Sequence, residues 1–244
     1  MSDDLLSLRL LVVSDSASQR DIWRQGTALA SMPIDFVEAA TASAACKLLR
    51  AGTEIVLVDG DLSSLAELIE VSRGLKPAPM ILSFASRRAA GRIDGFGGTL
   101  QRPSDADAAR VAVNRCIKAS MPMQAMIIDD SSTMRAIVRK ILEGSRFKLI
   151  VTDASEGSAA LAAIGKGAVD IIFLDYNMPG LNGIDTLSQI KRDKPDVAVV
   201  MMTSTLDPSL AKRAKSSGAA GFLKKPFFSK DVDAVLARYH GLQE

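Results

Sequence analysis

Residues 125–144 read AMIIDDSSTMRAIVRKILEG. A short apolar run, 125–128, ends in a pair of aspartates, Asp129 and Asp130. A helical pattern follows over 132–143, in which Met134, Ile137, Val138, Ile141 and Leu142 fall on one face. Gly144 stands where the helix should stop. An unbroken apolar run marks a strand buried on both faces, which is the habit of parallel sheets. Strand, acidic turn and amphipathic helix together make one βα unit.

The unit repeats through the second half of the chain. Further strands are expected at 148–152, 171–174, 198–202 and 221–224, with helices at 156–164, 184–191, 208–217 and 229–239. Strict alternation of strand and helix implies a parallel sheet covered on both faces, here a flavodoxin-like doubly wound (βα)5 domain. The first half follows the same plan. Its strands are expected at 10–13, 34–37, 55–58, 80–83 and 98–101, and its helices at 16–30, 42–50, 64–74 and 105–119. The stretch SRRAAGRIDGFGG between its last two strands is rich in glycine, which disfavours helix, so a short or frayed element is expected there. The chain therefore reads as two tandem domains, residues 1–120 and 121–244.

Composition narrows the function. The 244 residues carry a formal charge of +2, spread evenly over both halves, so charge points to no nucleic-acid surface. Cys46 and Cys116 stand alone and match no zinc or redox spacing, as suits a reducing cytoplasm. The first residues lack a signal peptide's basic flank and apolar core, and no apolar run is long enough to span a membrane.

In the second half, Asp129, Asp130, Asp175, Thr203 and Lys225 each follow an apolar run. Polar groups at the C-terminal ends of parallel strands converge on one crevice. Three carboxylates, a hydroxyl and an ammonium in one crevice suit Mg²⁺ and a phosphoryl group, with a carboxylate available as nucleophile.

These residues carry a resemblance. The aspartate pair, D-Y-N-M-P-G from Asp175, M-T-S from Met202, and Lys225 followed by Pro226 resemble the receiver domain of bacterial two-component response regulators, and DDSSTMRAIVRKIL resembles the chemotaxis-type regulators. The resemblance implies that Asp175 accepts a phosphoryl group from a histidine kinase or a histidine phosphotransfer protein. It implies Mg²⁺ bound by Asp129, Asp130, Asp175 and the backbone carbonyl of Asn177, with Asp129 acting largely through water. Thr203 and Lys225 would hold the phosphoryl oxygens, and Thr203 and Phe222 would form the switch. It further implies a cis peptide before Pro226, a signalling role and not that of an enzyme in its own right, and a downstream protein partner on residues 208–239. With no helix-turn-helix or cyclase segment in the sequence, output is expected through protein contacts.

The first domain carries a weakened copy: Ser14, Asp15, Asp59, Ser83 and Arg102, with Thr99 at the position of Phe222. Arg102 is expected to hold Asp59 or Asp15 as a built-in cation. Two readings follow: a pseudo-receiver that serves as adaptor or dimerisation module, or a slow phosphoacceptor. For the whole chain three roles stay open: a phosphorylation switch, a phosphate shuttle or sink, and a structural adaptor. Arg87, Arg88 and Arg92 read as a solvated loop, His240 as a surface residue, and Trp23 as core or interdomain packing.

Overall fold

Leu8–Val13 (β1) pairs in parallel with Ile34–Ala39 (β2) on one side and Thr53–Asp59 (β3) on the other. Met80–Ala85 (β4) and Thr99–Gln101 (β5) extend the sheet to the order β2-β1-β3-β4-β5. The connecting helices are Ala17–Ala28 (α1), Ala42–Leu48 (α2) and Ala66–Gly74 (α3), and Ala106–Ser120 (α4) follows β5. These features come from a computed structural model that describes residues 7–49, 52–63, 65–85, 96–166, 169–178, 183–205 and 207–242. The expected short element after β4, with Arg87, Arg88 and Arg92, lies outside the described residues.

The same plan recurs from Met123. Strands Met123–Ile128 (β6), Leu149–Ala154 (β7), Ile171–Asp175 (β8), Ala198–Thr203 (β9) and Gly221–Lys224 (β10) form a second all-parallel sheet, in the order β7-β6-β8-β9-β10. Its helices are Ser132–Glu143 (α5), Gly157–Lys166 (α6), Gly183–Asp193 (α7), Pro208–Ser216 (α8) and Ser229–Tyr239 (α9). The chain divides into one unit of Met1–Met121 with His240–Glu244, and another of Pro122–Tyr239. Both are flavodoxin-like.

Local chemistry sets the element ends. β8 and β9 are buried at every residue, as central strands should be. β7 lies at the sheet edge, so it tolerates Thr152 and Asp153 and runs to Ala154, two residues beyond its expected end. The side chains of Ser16, Ser131, Thr41 and Asp105 cap their helices by accepting the backbone N–H of the residue three positions on. Trp23 is fully buried in the first unit, with its ring centroid 5.1 Å from that of Phe84. His240, expected at the surface, is buried at 6% exposure. Its position just past α9 carried no apolar pattern from which burial could be read.

Candidate functional site

In the second unit β8 lies between β6 and β9, so the C-terminal ends of all three open on one crevice. Asp129 and Asp130 follow β6, Asp175 closes β8, Thr203 closes β9, and Lys225 follows β10. Lys225 Nζ donates to Asp129 Oδ2 and Asp175 Oδ1, each at 2.8 Å. Asp129 and Asp175 are buried, at 1% and 5% exposure, while Asp130 is exposed. Oxygens of the three carboxylates lie within 4.8 Å of one another. Thr203 is buried, and among the described residues its hydroxyl bonds the backbone of the exposed Thr205, donating to the carbonyl (2.9 Å) and accepting from the N–H (3.2 Å).

The electrostatics are unbalanced. Burial pushes the Asp175 carboxyl above the ordinary aspartate range; bonds from Lys225 and the Asn177 N–H oppose the shift, and the charge of Asp129 adds to it. Burial alone would lower the Lys225 ammonium, but its bonds to Asp129 and Asp175 together raise it. One ammonium facing three clustered carboxylates leaves negative charge in excess. Hard oxygen donors with surplus charge and one open side fit Mg²⁺, which takes a few carboxylates and keeps its remaining waters. Asn177 is exposed beside Asp175, and Phe222 is half-buried against the core of the unit. The peptide before Pro226 is cis, as is one that sequence reading did not foresee, before Pro77.

The first unit has matching hydrogen bonds and a different site. Gly60 N–H donates to Phe84 O as Tyr176 N–H donates to Met202 O, and Arg102 N–H donates to Ala85 O as Lys225 N–H donates to Thr203 O. Asp59 pairs in register with Phe84 and Asp175 with Met202. These pairings correct the sequence alignment: the counterpart of Thr203 is Ala85, and Ser83 sits two residues earlier on β4. Matching Ser83 to Thr203 by hydroxyl type implies a segment three residues shorter before Arg102 than before Lys225, whereas the ladder makes it five residues shorter. Ser83 is instead buried with its Oγ 2.8 Å from Thr99 Oγ1. Among the described residues the first unit thus has no side-chain donor at the position of Thr203, where β4 ends in Ala85.

Its acceptor position is fully engaged. Asp59, 1% exposed, accepts from the Ser14 hydroxyl at 2.7 Å and from Arg102 Nη2 at 2.5 Å. Arg102 Nη2 also reaches Asp61 Oδ2 at 2.5 Å, and the Asp61 N–H donates to Asp59 Oδ1 at 3.2 Å. Asp61 stands two residues past Asp59, as Asn177 does past Asp175, and had not been singled out in the sequence. The Arg102 guanidinium lies 5.7 Å from the centroid of the Phe84 ring, a cation–π distance. Asp15 is exposed and not part of this knot. Among the described residues only Asp129, Asp130 and Asp175 form a carboxylate cluster able to hold a metal.

Comparison with known proteins agrees with this geometry. The response regulator receiver domain model matches residues 125–237, entirely within the second unit. Chemotaxis protein CheY-3 of Vibrio cholerae is 36% identical over 107 residues, 43% of this chain and 82% of that protein. The response regulator UvrY of Escherichia coli is 32% identical over 120 residues, 49% of this chain and 55% of that protein. The chain thus spans about half the length of the UvrY relatives it matches. A solved structure described as a probable two-component system response regulator/GGDEF domain protein superposes with a TM-score of 0.58 at 21% identity, over 95% of this chain and 97% of its own. That likeness shows the tandem fold. The chain belongs to the response regulator receiver family.

Proposed function

We propose that the second unit is a phosphoacceptor switch. A carboxylate oxygen of Asp175 attacks the phosphorus of a phosphohistidine on a kinase or phosphotransfer protein, a P–O bond forms, and the P–N bond breaks with its electron pair leaving on the imidazole. Lys225 is placed to follow the incoming oxygens, and Thr203 can exchange its loop contacts for one of them. Mg²⁺, held by Asp129, Asp130, Asp175 and the Asn177 carbonyl, would supply the positive charge that offsets the phosphoryl group. The observation that carries this reading is the buried Asp175 bound to a Lys225 shared with Asp129. Phe222, half-buried at the core edge, supports a conformational response on residues 208–239 that a downstream protein reads. The protein would act in the cytoplasm as a signalling component without catalytic turnover of its own; among the described residues no helix is long and apolar enough to cross a membrane.

A cavity of about 490 Å³ supports a protein donor. Met134, Ile137, Val138 and Ile141 of α5 form one wall, Ser204, Pro226 and Phe227 the rest, and Lys225 stands at its edge. The first unit, with Asp59 tied to Ser14 and Arg102, acts in this reading as a phosphate-blind adaptor or dimerisation module.

Phosphorylation with acetyl phosphate and Mg²⁺, followed by intact mass, tests both assignments. One phosphoryl group per chain is expected, retained in Asp59→Ala and absent in Asp175→Ala. Labelling that survives loss of Asp175 and disappears without Asp59 would reverse the assignment.

A further inference from the structure

The two units share an arrangement that neither the acidic motifs nor the proposed chemistry uses. In the second unit Arg135, on the first turn of α5, donates through Nη1 to the backbone carbonyls of Asp129 (2.8 Å) and Asp130 (3.2 Å). Its Nε donates to Asp153 Oδ2 at 2.9 Å. Asp153 also pairs with Arg139, whose Nη1 donates to Val151 O at 2.6 Å. In the first unit Arg20 Nη1 donates to the carbonyls of Ser14 (2.6 Å) and Asp15 (3.1 Å). Arg20 Nε lies 3.6 Å from Glu38, and Glu38 also pairs with Arg24 at 2.6 Å. The spacings are the same in both copies: the second arginine stands four positions after the first, and the carboxylate eighteen positions after that first arginine.

We infer that Arg135 is a positioning residue of the metal site, and that the Arg135–Asp153–Arg139 triad sets the affinity of that site for a divalent cation. The inference rests on reading Asp129, Asp130 and Asp175 as the Mg²⁺ site. Adjacent residues on a regular strand point to opposite faces, so Asp129 and Asp130 can serve one ion only if the backbone turns at the strand end. That turn leaves two carbonyls without ladder partners, and the guanidinium satisfies both. It grips the backbone carbonyls and not the carboxylates, so it orients the donor oxygens without itself occupying them; Asp129 Oδ1 accepts from the Ser131 N–H at 3.0 Å and Oδ2 from Lys225. Asp153 offsets its charge, which limits repulsion of an incoming cation. Arg135 is itself held on two sides, with its side chain only 19% exposed. Groups that orient metal ligands in this way commonly change affinity by about 10–100-fold when removed.

The repeat supplies a matched control, because Arg20 makes the same backbone contacts beside a site with no metal cluster among the described residues. Calorimetric titration of the full chain with Mg²⁺ is the direct test, with Asp130→Ala reporting whether the cluster is the site. Arg135→Ala is expected to weaken Mg²⁺ binding about 10-fold, Asp153→Asn about 3-fold, and Arg20→Ala not at all. Arg135→Lys, which can reach one carbonyl at a time, should recover part of the loss. In acetyl phosphate labelling, Arg135→Ala should raise the Mg²⁺ concentration for half-maximal rate while the rate at saturating Mg²⁺ stays near that of the wild type. Should Arg135→Ala fail to fold, Asp153→Asn decides. Unchanged Mg²⁺ affinity in whichever variant decides, or an equal loss in Arg20→Ala, would overturn the inference. A wild-type chain that binds Mg²⁺ no better than Asp130→Ala would instead overturn the metal-site reading beneath it.

Discussion

Lys225 and Arg102 occupy the same place in the two copies and produce opposite sites. The compact ammonium of Lys225 lies between two carboxylates, where the proposed switch needs it to follow a phosphoryl group, whereas one nitrogen of Arg102 serves Asp59 and Asp61 together. Lys225→Arg is therefore expected to tie down Asp175 and slow acetyl phosphate labelling about 100-fold, a typical cost of losing one charge-stabilising group. Stability should respond with opposite signs in the two units. Burial raises the Asp175 carboxyl, so its contribution to stability is full below the ordinary aspartate range and is lost as pH rises through the raised value. At neutral pH, Asp175→Asn should raise the melting temperature of the second unit by about 2–5 °C, a gap that closes below about pH 4. Asp59→Asn should destabilise the first unit by roughly 1–3 kcal/mol, because a buried acceptor of Arg102 and Ser14 is weakened. Trp23 lies in the first unit and both tyrosines, Tyr176 and Tyr239, in the second, so intrinsic fluorescence separates the two transitions.

α5 shows how far periodicity can be read and where it stops. Its five large apolar side chains share a face, yet only Val138 and Leu142 are buried, and Ile137 is 45% exposed beside the cavity. Ile137 instead lines the cavity that the proposed protein donor would fill. Ile137→Asp is expected to slow phosphotransfer from a phosphohistidine protein at least 10-fold, while labelling by acetyl phosphate stays within about 2-fold of wild type. Equal loss with both donors would show that the substitution damages the site and not a docking wall. β7 makes a similar point: its length was underestimated because an edge strand is defined by its ladder and accepts polar residues.

At the scale of the whole molecule, duplication lets one copy interpret the other. The alternation of apolar runs and amphipathic helices was enough to establish two doubly wound sheets, because burial on both faces requires continuous apolar strands and a covering helix requires a period near 3.6. The same strand ends brought Asp129, Asp130, Asp175, Thr203 and Lys225 to attention, since in a parallel sheet position along the chain fixes the edge on which a residue emerges. The register of β4 against β3 was beyond sequence reading, since a deletion in the following loop leaves residue spacing ambiguous; only the hydrogen-bond ladder replaces Ser83 by Ala85. Sequence reading leaves Arg102 a choice between Asp59 and Asp15; that it takes Asp59 and adds Asp61, and that Arg135 grips the backbone of Asp129 and Asp130, depended on tertiary structure. Each is a contact made by a long side chain to a group chosen by distance in space. Pattern along the chain carries the periodicity of burial, and it does not carry the direction in which a guanidinium will point.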